Sequence, residues 1–221
     1  MKRAVLLFIG AVLAAVLQMA WGFTFWMATP IPLEHMVKTL PAEQEGQIVK
    51  ALGDADVDSG HNFYPFPDKE AMSGKNEEAM KAFQKKHAAG PLVEIVYRKD
   101  GLDPRAEGLT YVYGFGHCVG TALLAGFLLL LASPALRSYA RRVLFVALLG
   151  VFAAITITLA NPIWYHHPWK FSLISAGFEV VAWLLSAVVL GAFVRPPKLA
   201  AVGHAPHLTP QAFHPSDRVR V

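Results

Sequence analysis

The stretch FSLISAGFEVVAWLLSAVVLGAFV, residues 171 to 194, runs for 24 residues with a single formal charge, Glu179. A helix needs about 20 mostly apolar residues to cross a hydrocarbon core, and this segment supplies them. Three other stretches do the same: 4 to 27 (AVLLFIGAVLAAVLQMAWGFTFWM), 111 to 132 (YVYGFGHCVGTALLAGFLLLLA) and 143 to 160 (VLFVALLGVFAAITITLA). Glu179 is the only formal charge in all four. Stretches this long with so little charge on any face argue against a cluster of buried core helices. The expected fold is an all-α membrane bundle of four transmembrane helices.

The remaining charges are segregated. Of the 16 acidic residues, 14 fall between positions 29 and 109 together with ten of the 20 basic ones, so that this stretch nets −4 and the rest of the chain +8. A compact soluble enzyme does not partition charge in this way, whereas a membrane protein with one large soluble loop does. The basic balance is therefore no argument for nucleic acid. The predicted organisation is transmembrane helix 1 over 1–28, an extracytoplasmic α+β domain over 29–109, transmembrane helices 2 to 4 over 110–194, and a disordered tail over 195–221 that is rich in Pro, Ala and His.

Lys2 and Arg3 ahead of an apolar run also suit a signal peptide. However, the run continues to Met27, and Gln18 is too large for the small residue expected three before a cut after Ala20. An uncleaved anchor is expected. Lys and Arg in the short connections set the orientation. With the N-terminus inside, Lys2, Arg3, Arg137, Arg141, Arg142, Arg195 and Lys198 are cytoplasmic and Lys170 alone opposes them. Both termini then face the cytoplasm, and the expected location is the inner (cytoplasmic) membrane. Trp21, Trp26, Tyr111, Tyr113, Trp164 and Trp169 mark the outer interface.

Within the insert, PAEQEGQIVKAL (41 to 52) reads as a helix entered by Pro41, with Glu43 and Glu45 in its favourable first turn. GKNEEAMKAFQKKHA (74 to 88) reads as a second helix, stopped by Gly90 and Pro91. LVEIVYR (92 to 98) alternates apolar and polar residues and is the best strand in the chain, while HNFYPFP (61 to 67) is a short edge piece limited by its prolines. So small a domain buries little core and needs support from the membrane surface or a partner.

Chemistry concentrates in one layer of the bundle. An ionisable residue in a span is a functional hypothesis by default. Glu179 lies about 12 Å in from the outer end of its span, and His117 about 9 Å in from the outer end of the second, at 1.5 Å per residue. Thr156, Thr158 and Asn161 approach this level from the third span and Gln18 from the first. One reading is an outward-opening proton or metal site, with Glu179 as base or ligand, His117 as its partner, and His166 and His167 as a lid. The other is that Glu179 is an interhelical staple, a common contact worth about 0.6 kcal/mol on average. The staple is favoured, because no complete ligand set is visible. Gly116 and Gly120 form a G-x-x-x-G pair suited to close helix approach.

Other signals are weaker. The loop NPIWYHHPW (161 to 169) sets His166 and His167 among interfacial aromatics and reads first as an anchor. In DADVDSG, Asp54, Asp56 and Asp58 have calcium-loop spacing, but Ser59 replaces the tight-turn Gly and Pro65 the bidentate Glu, so a solvated acidic turn is favoured. The single cysteine, Cys118, excludes an internal disulfide. No catalytic or nucleotide-binding fingerprint occurs.

Together WGFTFWMATP (21 to 30), SGHNFYPFP, GPLVEIVYRKDG, RRVLFVALLGVFAA and the aromatic loop before the last span resemble a loosely defined group of bacterial four-span membrane proteins with one extracytoplasmic domain between spans 1 and 2. The resemblance covers most of residues 1 to 194 and implies no activity. Outer loops in that group are rich in Trp and Asn, and His166 and His167 depart from that pattern, so no functional residue carries over. The expected function is that of a non-catalytic integral membrane protein whose outer domain binds a partner or organises the envelope. The alternative is a small transporter or oxidoreductase subunit using the Glu179 and His117 layer for protons, metal or quinone. Expected partners are the lipid bilayer and a protein contacting residues 29–109. No cofactor is predicted, and a metal ion is the one candidate.

Overall fold

The computed structural model describes residues 2–101, 103 and 107–196, so the expected tail lies outside the described residues from position 197 onward. Four helices are long and apolar enough to cross a membrane, as in a multi-pass membrane protein: Lys2–Ala28, Gly108–Ala132, Tyr139–Trp164 and Trp169–Phe193, with mean hydropathy between 2.0 and 2.7. Helix α1 (Lys2–Phe23) continues into a π-helical turn at Thr24–Ala28, and a second such turn at Pro32–Met36 opens the insert. The insert then holds α2 (Ala42–Asp54), β1 (Gly60–Tyr64), α3 (Lys69–Met72), α4 (Glu77–Ala89) and β2 (Val93–Tyr97). Helices α5 (Glu107–Ala132), α6 (Tyr139–Ala153), α7 (Asn161–Trp164) and α8 (Trp169–Phe193) follow, with a π-helical turn at Ala154–Thr158 extending α6.

Helices α1 and α8 form the central pair, with α5 against α1 and α6 against α8. The seams are built from small side chains, Ala11, Ala14 and Ala15 on α1, Ala122 and Ala125 on α5, and Ala187 with Gly191 on α8, while Phe8, Leu131, Phe152 and Leu173 point outward. Small inside and large outside is the pattern expected where lipid, not water, surrounds the helices. The first span is an integral member of this packing. Polar contacts reinforce it. Gln18 donates to Ser186 Oγ at 2.6 Å, and the Trp21 indole to the Phe178 carbonyl at 3.0 Å.

Close approach between helices is not made by the expected glycines. Gly116 and Gly120 are exposed, and a Cβ on either would meet nothing within 4 Å. Helix α5 meets α1 farther along, where Ala122 and Ala125 are buried and a Cβ on Gly126 would lie 2.3 Å from Leu7 Cδ1. At the α6–α8 crossing, Gly150 is covered by Trp183, whose Cβ would be 2.2 Å from an added Cβ.

At the end of the bundle away from the insert, Arg142 is only 6% exposed. It donates to the carbonyls of Gly191 and Arg137, each at 2.8 Å. A cation at the last carbonyls of α8 meets the negative end of that helix.

The insert follows its local signals. Asn76 caps α4 by accepting from the Ala79 amide at 3.1 Å, Glu77 and Glu78 occupy its first turn, and Gly90 ends it at φ +65°. Asp68 caps the short α3, which sequence periodicity is too brief to signal. Strands β1 and β2 pair antiparallel, with His61 opposite Val96 and Phe63 opposite Glu94, and β1 stops before Pro65 as expected. Among the described residues of 29–109, only Pro32 and Ala71 are buried.

Gly150→Ala should destabilise the protein by about 1–3 kcal/mol, because the added Cβ would meet the root of the Trp183 side chain, Cβ at 2.2 Å and Cγ at 2.3 Å. Gly120→Ala should stay within about 0.5 kcal/mol. Thermal unfolding of the two variants in detergent micelles measures the difference.

Candidate functional site

The polar layer predicted in the bundle is only partly assembled. Thr158 is buried and its hydroxyl sits 2.7 Å from each Glu179 oxygen, tying α6 to α8. Thr156, two residues earlier and hence on the opposite side of the helix, is exposed and bonds the Phe152 carbonyl at 2.7 Å. The π-helical turn that ends with the Leu159 amide on the Ala154 carbonyl, at 2.9 Å, sets this phase. Gln18 is engaged by Ser186 and half-buried Asn161 opens α7. His117 faces outward on α5, and among the described residues no hydrogen bond joins it to Glu179.

His166 and His167 do not form a lid on this layer. Glu179 lies about 15 Å along α8 from Trp169 at the helical rise, whereas the two imidazoles turn the other way, toward the insert. His166 has φ +59°, the left-handed region, which sends the two adjacent rings in different directions. The His167 ring reaches Glu94 on β2, and the His166 ring meets the His87 ring on α4 at 5.7 Å.

Glu94 is the centre of the arrangement. One of its oxygens accepts from His61 Nε2, the other from His167 Nε2, so one carboxylate joins β1, β2 and the 165–168 loop. Its side chain is 21% exposed, with His167 at 27% and His61 at 50%. Burial by itself pushes the Glu94 carboxyl up. Hydrogen bonds from His167 and His61, with their charge, outweigh burial and hold it below the ordinary value of 4.5.

Around this tether lies a cleft of about 1190 Å³ between the insert and the ends of α7 and α8. Its walls are apolar and aromatic, including Phe63, Phe66, Phe83, Trp164 and Phe171. Phe63 on β1 stacks on Tyr165 at 5.8 Å, a side-chain contact between the insert's sheet and the loop. The nitrogen-bearing side chains of the lining include His35, Lys38, His87, His166, His167 and Lys170, and its oxygens come from the carboxyls of Glu34 and Glu94 and the hydroxyls of Tyr64 and Tyr165. Lys170 Nζ lies 3.2 Å from His35 Nδ1, a contact that binds the opening turn of the insert to the start of α8.

The calcium-type turn is occupied by its own chain. Asp54 falls in the last turn of α2 and pairs with Lys50 at 2.5 Å, Asp56 sits at φ +48° and pairs with Lys99 at 2.9 Å, and Asp58 gives its carbonyl to Asn62. The helix runs through the first would-be ligand and turns it away from the other two. Among the described residues, no group of three or more His, Cys, Asp or Glu is arranged to hold a metal ion, the candidates Glu179, His117, His166 and His167 included.

Glu94 and His61 are the residues that sequence reasoning passed over. Glu94 occupies a polar position of the alternating strand, which ordinarily faces water. A usable signal was present: LVEIVYR holds one acid, and the chain also carries an adjacent histidine pair in a loop that must return to the same end of the bundle. No family model, curated protein or solved structure matches this chain.

A carboxylate whose folded pKa is lowered adds stability above its ordinary pKa and loses it as the pH falls through the folded value. The acid limb of thermal unfolding should therefore begin below pH 4.5 and be flattened in Glu94→Gln, which also loses about 1 kcal/mol near neutrality. In the bundle, Glu179→Leu should cost about 1 kcal/mol in the same assay, while Glu179→Gln, which keeps an acceptor for Thr158, costs less.

Proposed function

We propose that this chain is a non-catalytic, multi-pass protein of the bacterial inner membrane, with both termini cytoplasmic and the 29–109 insert outside as a binding module. The single observation that carries this reading is the Glu94 tether. It holds the insert on the bundle through His167, 73 positions away, and so encloses the aromatic cleft. Ligand pockets are commonly about 300–1000 Å³ and mostly apolar with a few convergent polar groups, and this cleft has that composition at somewhat larger size. The orientation is supported by Lys and Arg at the end opposite the insert, where Arg137 and Arg141 are exposed.

A transport or redox role built on Glu179 and His117 draws less support, because Glu179 is engaged by Thr158 and His117 is exposed on α5 with no hydrogen bond to it among the described residues. Two measurements separate the readings. In a Cys118→Ser background, Ser59→Cys should react with a membrane-impermeant maleimide in intact cells and Ser138→Cys should not. In cells lacking the native copy, Glu179→Gln should restore whatever envelope or growth defect the loss causes, and the Glu94→Ala/His167→Ala double variant should not. The opposite result in the complementation would favour the Glu179 site.

A further inference from the structure

Resting on the binding-module reading, we propose that the cleft takes an anionic amphiphile from the bilayer surface, seating its head against Lys170 and His35 and the first part of its chain against Phe63, Phe66 and Phe171. Three observations converge on this occupant. The first is position. Trp164 and Phe171 line the cleft on either side of the start of α8 at Trp169, where aromatic residues mark the level of lipid head groups. A cleft at this level is reached from the side by lipid and from above by water.

The second is charge. Lys38 and Lys170 stand on the lining with four imidazoles, His35, His87, His166 and His167, the last of them engaged by Glu94. Of the two lining acids, Glu94 already accepts from His61 and His167, and Glu34 lies 3.9 Å from His35. An ammonium has three donors, and Lys170 spends one on His35 Nδ1 at 3.2 Å, which leaves donors for an incoming anion. The third is the pairing of these donors with aromatic walls. A small soluble anion would leave the walls unused, and a neutral lipid would leave the ammonium groups unmatched. Lysine beside anionic head groups is a favourable arrangement at a membrane surface.

The test uses the full chain in a neutral detergent, titrated with short-chain phosphatidylglycerol, the matching phosphatidylcholine, and inorganic phosphate. Tryptophan fluorescence reads binding, since Trp164 lines the cleft. Phosphatidylglycerol should bind about tenfold more tightly than phosphatidylcholine, and Lys170→Ala should remove about that factor, the worth of one charge-assisted hydrogen bond. Arg137→Ala, at the far end of the bundle, should leave binding unchanged. Equal affinity for the two lipids, phosphate displacing as well as the lipid binds, or wild-type affinity in Lys170→Ala would each overturn the proposal. Hydrogen exchange at Val93–Tyr97, measured on the same sample, keeps two failures apart. A protected strand without lipid preference removes the lipid assignment alone. An unprotected strand removes the docked binding module on which it rests.

Discussion

One carboxylate holds two parts of this protein together. The insert has only Pro32 and Ala71 buried among its described residues, and a two-stranded sheet is marginal by itself in water. Such a unit has little core of its own to fix where it sits, although its opening turn at Pro32–Met36 packs on α8. Glu94 ties it down, by accepting from His61 within the sheet and from His167 at the end of the bundle, with Lys170 on His35 and Tyr165 on Phe63 as flanking contacts. Each contact is exposed enough that its individual worth is small. Their effect comes from acting together along one short surface, beside the cleft that they border. A region held this way opens at lower free energy than the core of the bundle, a property consistent with the proposed binding role.

The bundle solves a different problem. Lipid offers no hydrophobic gain for burying an apolar side chain against another helix, so contact area and a few polar bonds must suffice. The seams are accordingly rich in alanine and glycine, and at the α6–α8 crossing the bulky Trp183 lies where Gly150 has no side chain. Arg142 extends the same economy to the far end. In the sequence it is one of several basic residues marking an edge. In the fold it is buried on carbonyls of α8 and of the preceding loop, so its positive charge is used in packing.

The four spans were legible because length and hydropathy are properties of a contiguous segment. So were α2, α4 and β2, whose caps and alternation are local. What was not legible depends on phase or on distance. Thr156 and Thr158 share a depth and a residue type, and only the π-helical turn over Ala154–Thr158 decides that the second meets Glu179; AITIT carries no signature of that turn. Gly116 and Gly120 have the spacing of a packing motif, yet α5 crosses α1 nearer Gly126. DADVDSG has the spacing of a cation loop, yet α2 continues through its first aspartate. The bond from Glu94 to His167 crosses 73 positions, and no local pattern encodes a partner so far away.

The distribution of titratable groups gives the function of the two ends a physical basis. An ionisable side chain in hydrocarbon is costly unless it is paired, and the one acid within the spans is met by the Thr158 hydroxyl in a helix seam, with no hydrogen bond to a second titratable group among the described residues. At the insert-side end the opposite holds. His35, His61, His87, His166 and His167 gather with Glu94 and Lys170 around an apolar cavity, and a left-handed backbone at His166 lets two consecutive imidazoles serve two separate contacts, one on the tether and one on the cleft wall. Groups that can change charge or bind an ion are thus concentrated where water and lipid head groups can both reach them. A site that moves protons or electrons through the spans needs such groups along the bundle; among the described residues they gather instead around a cavity at its end, which is the arrangement the proposed binding role rests on.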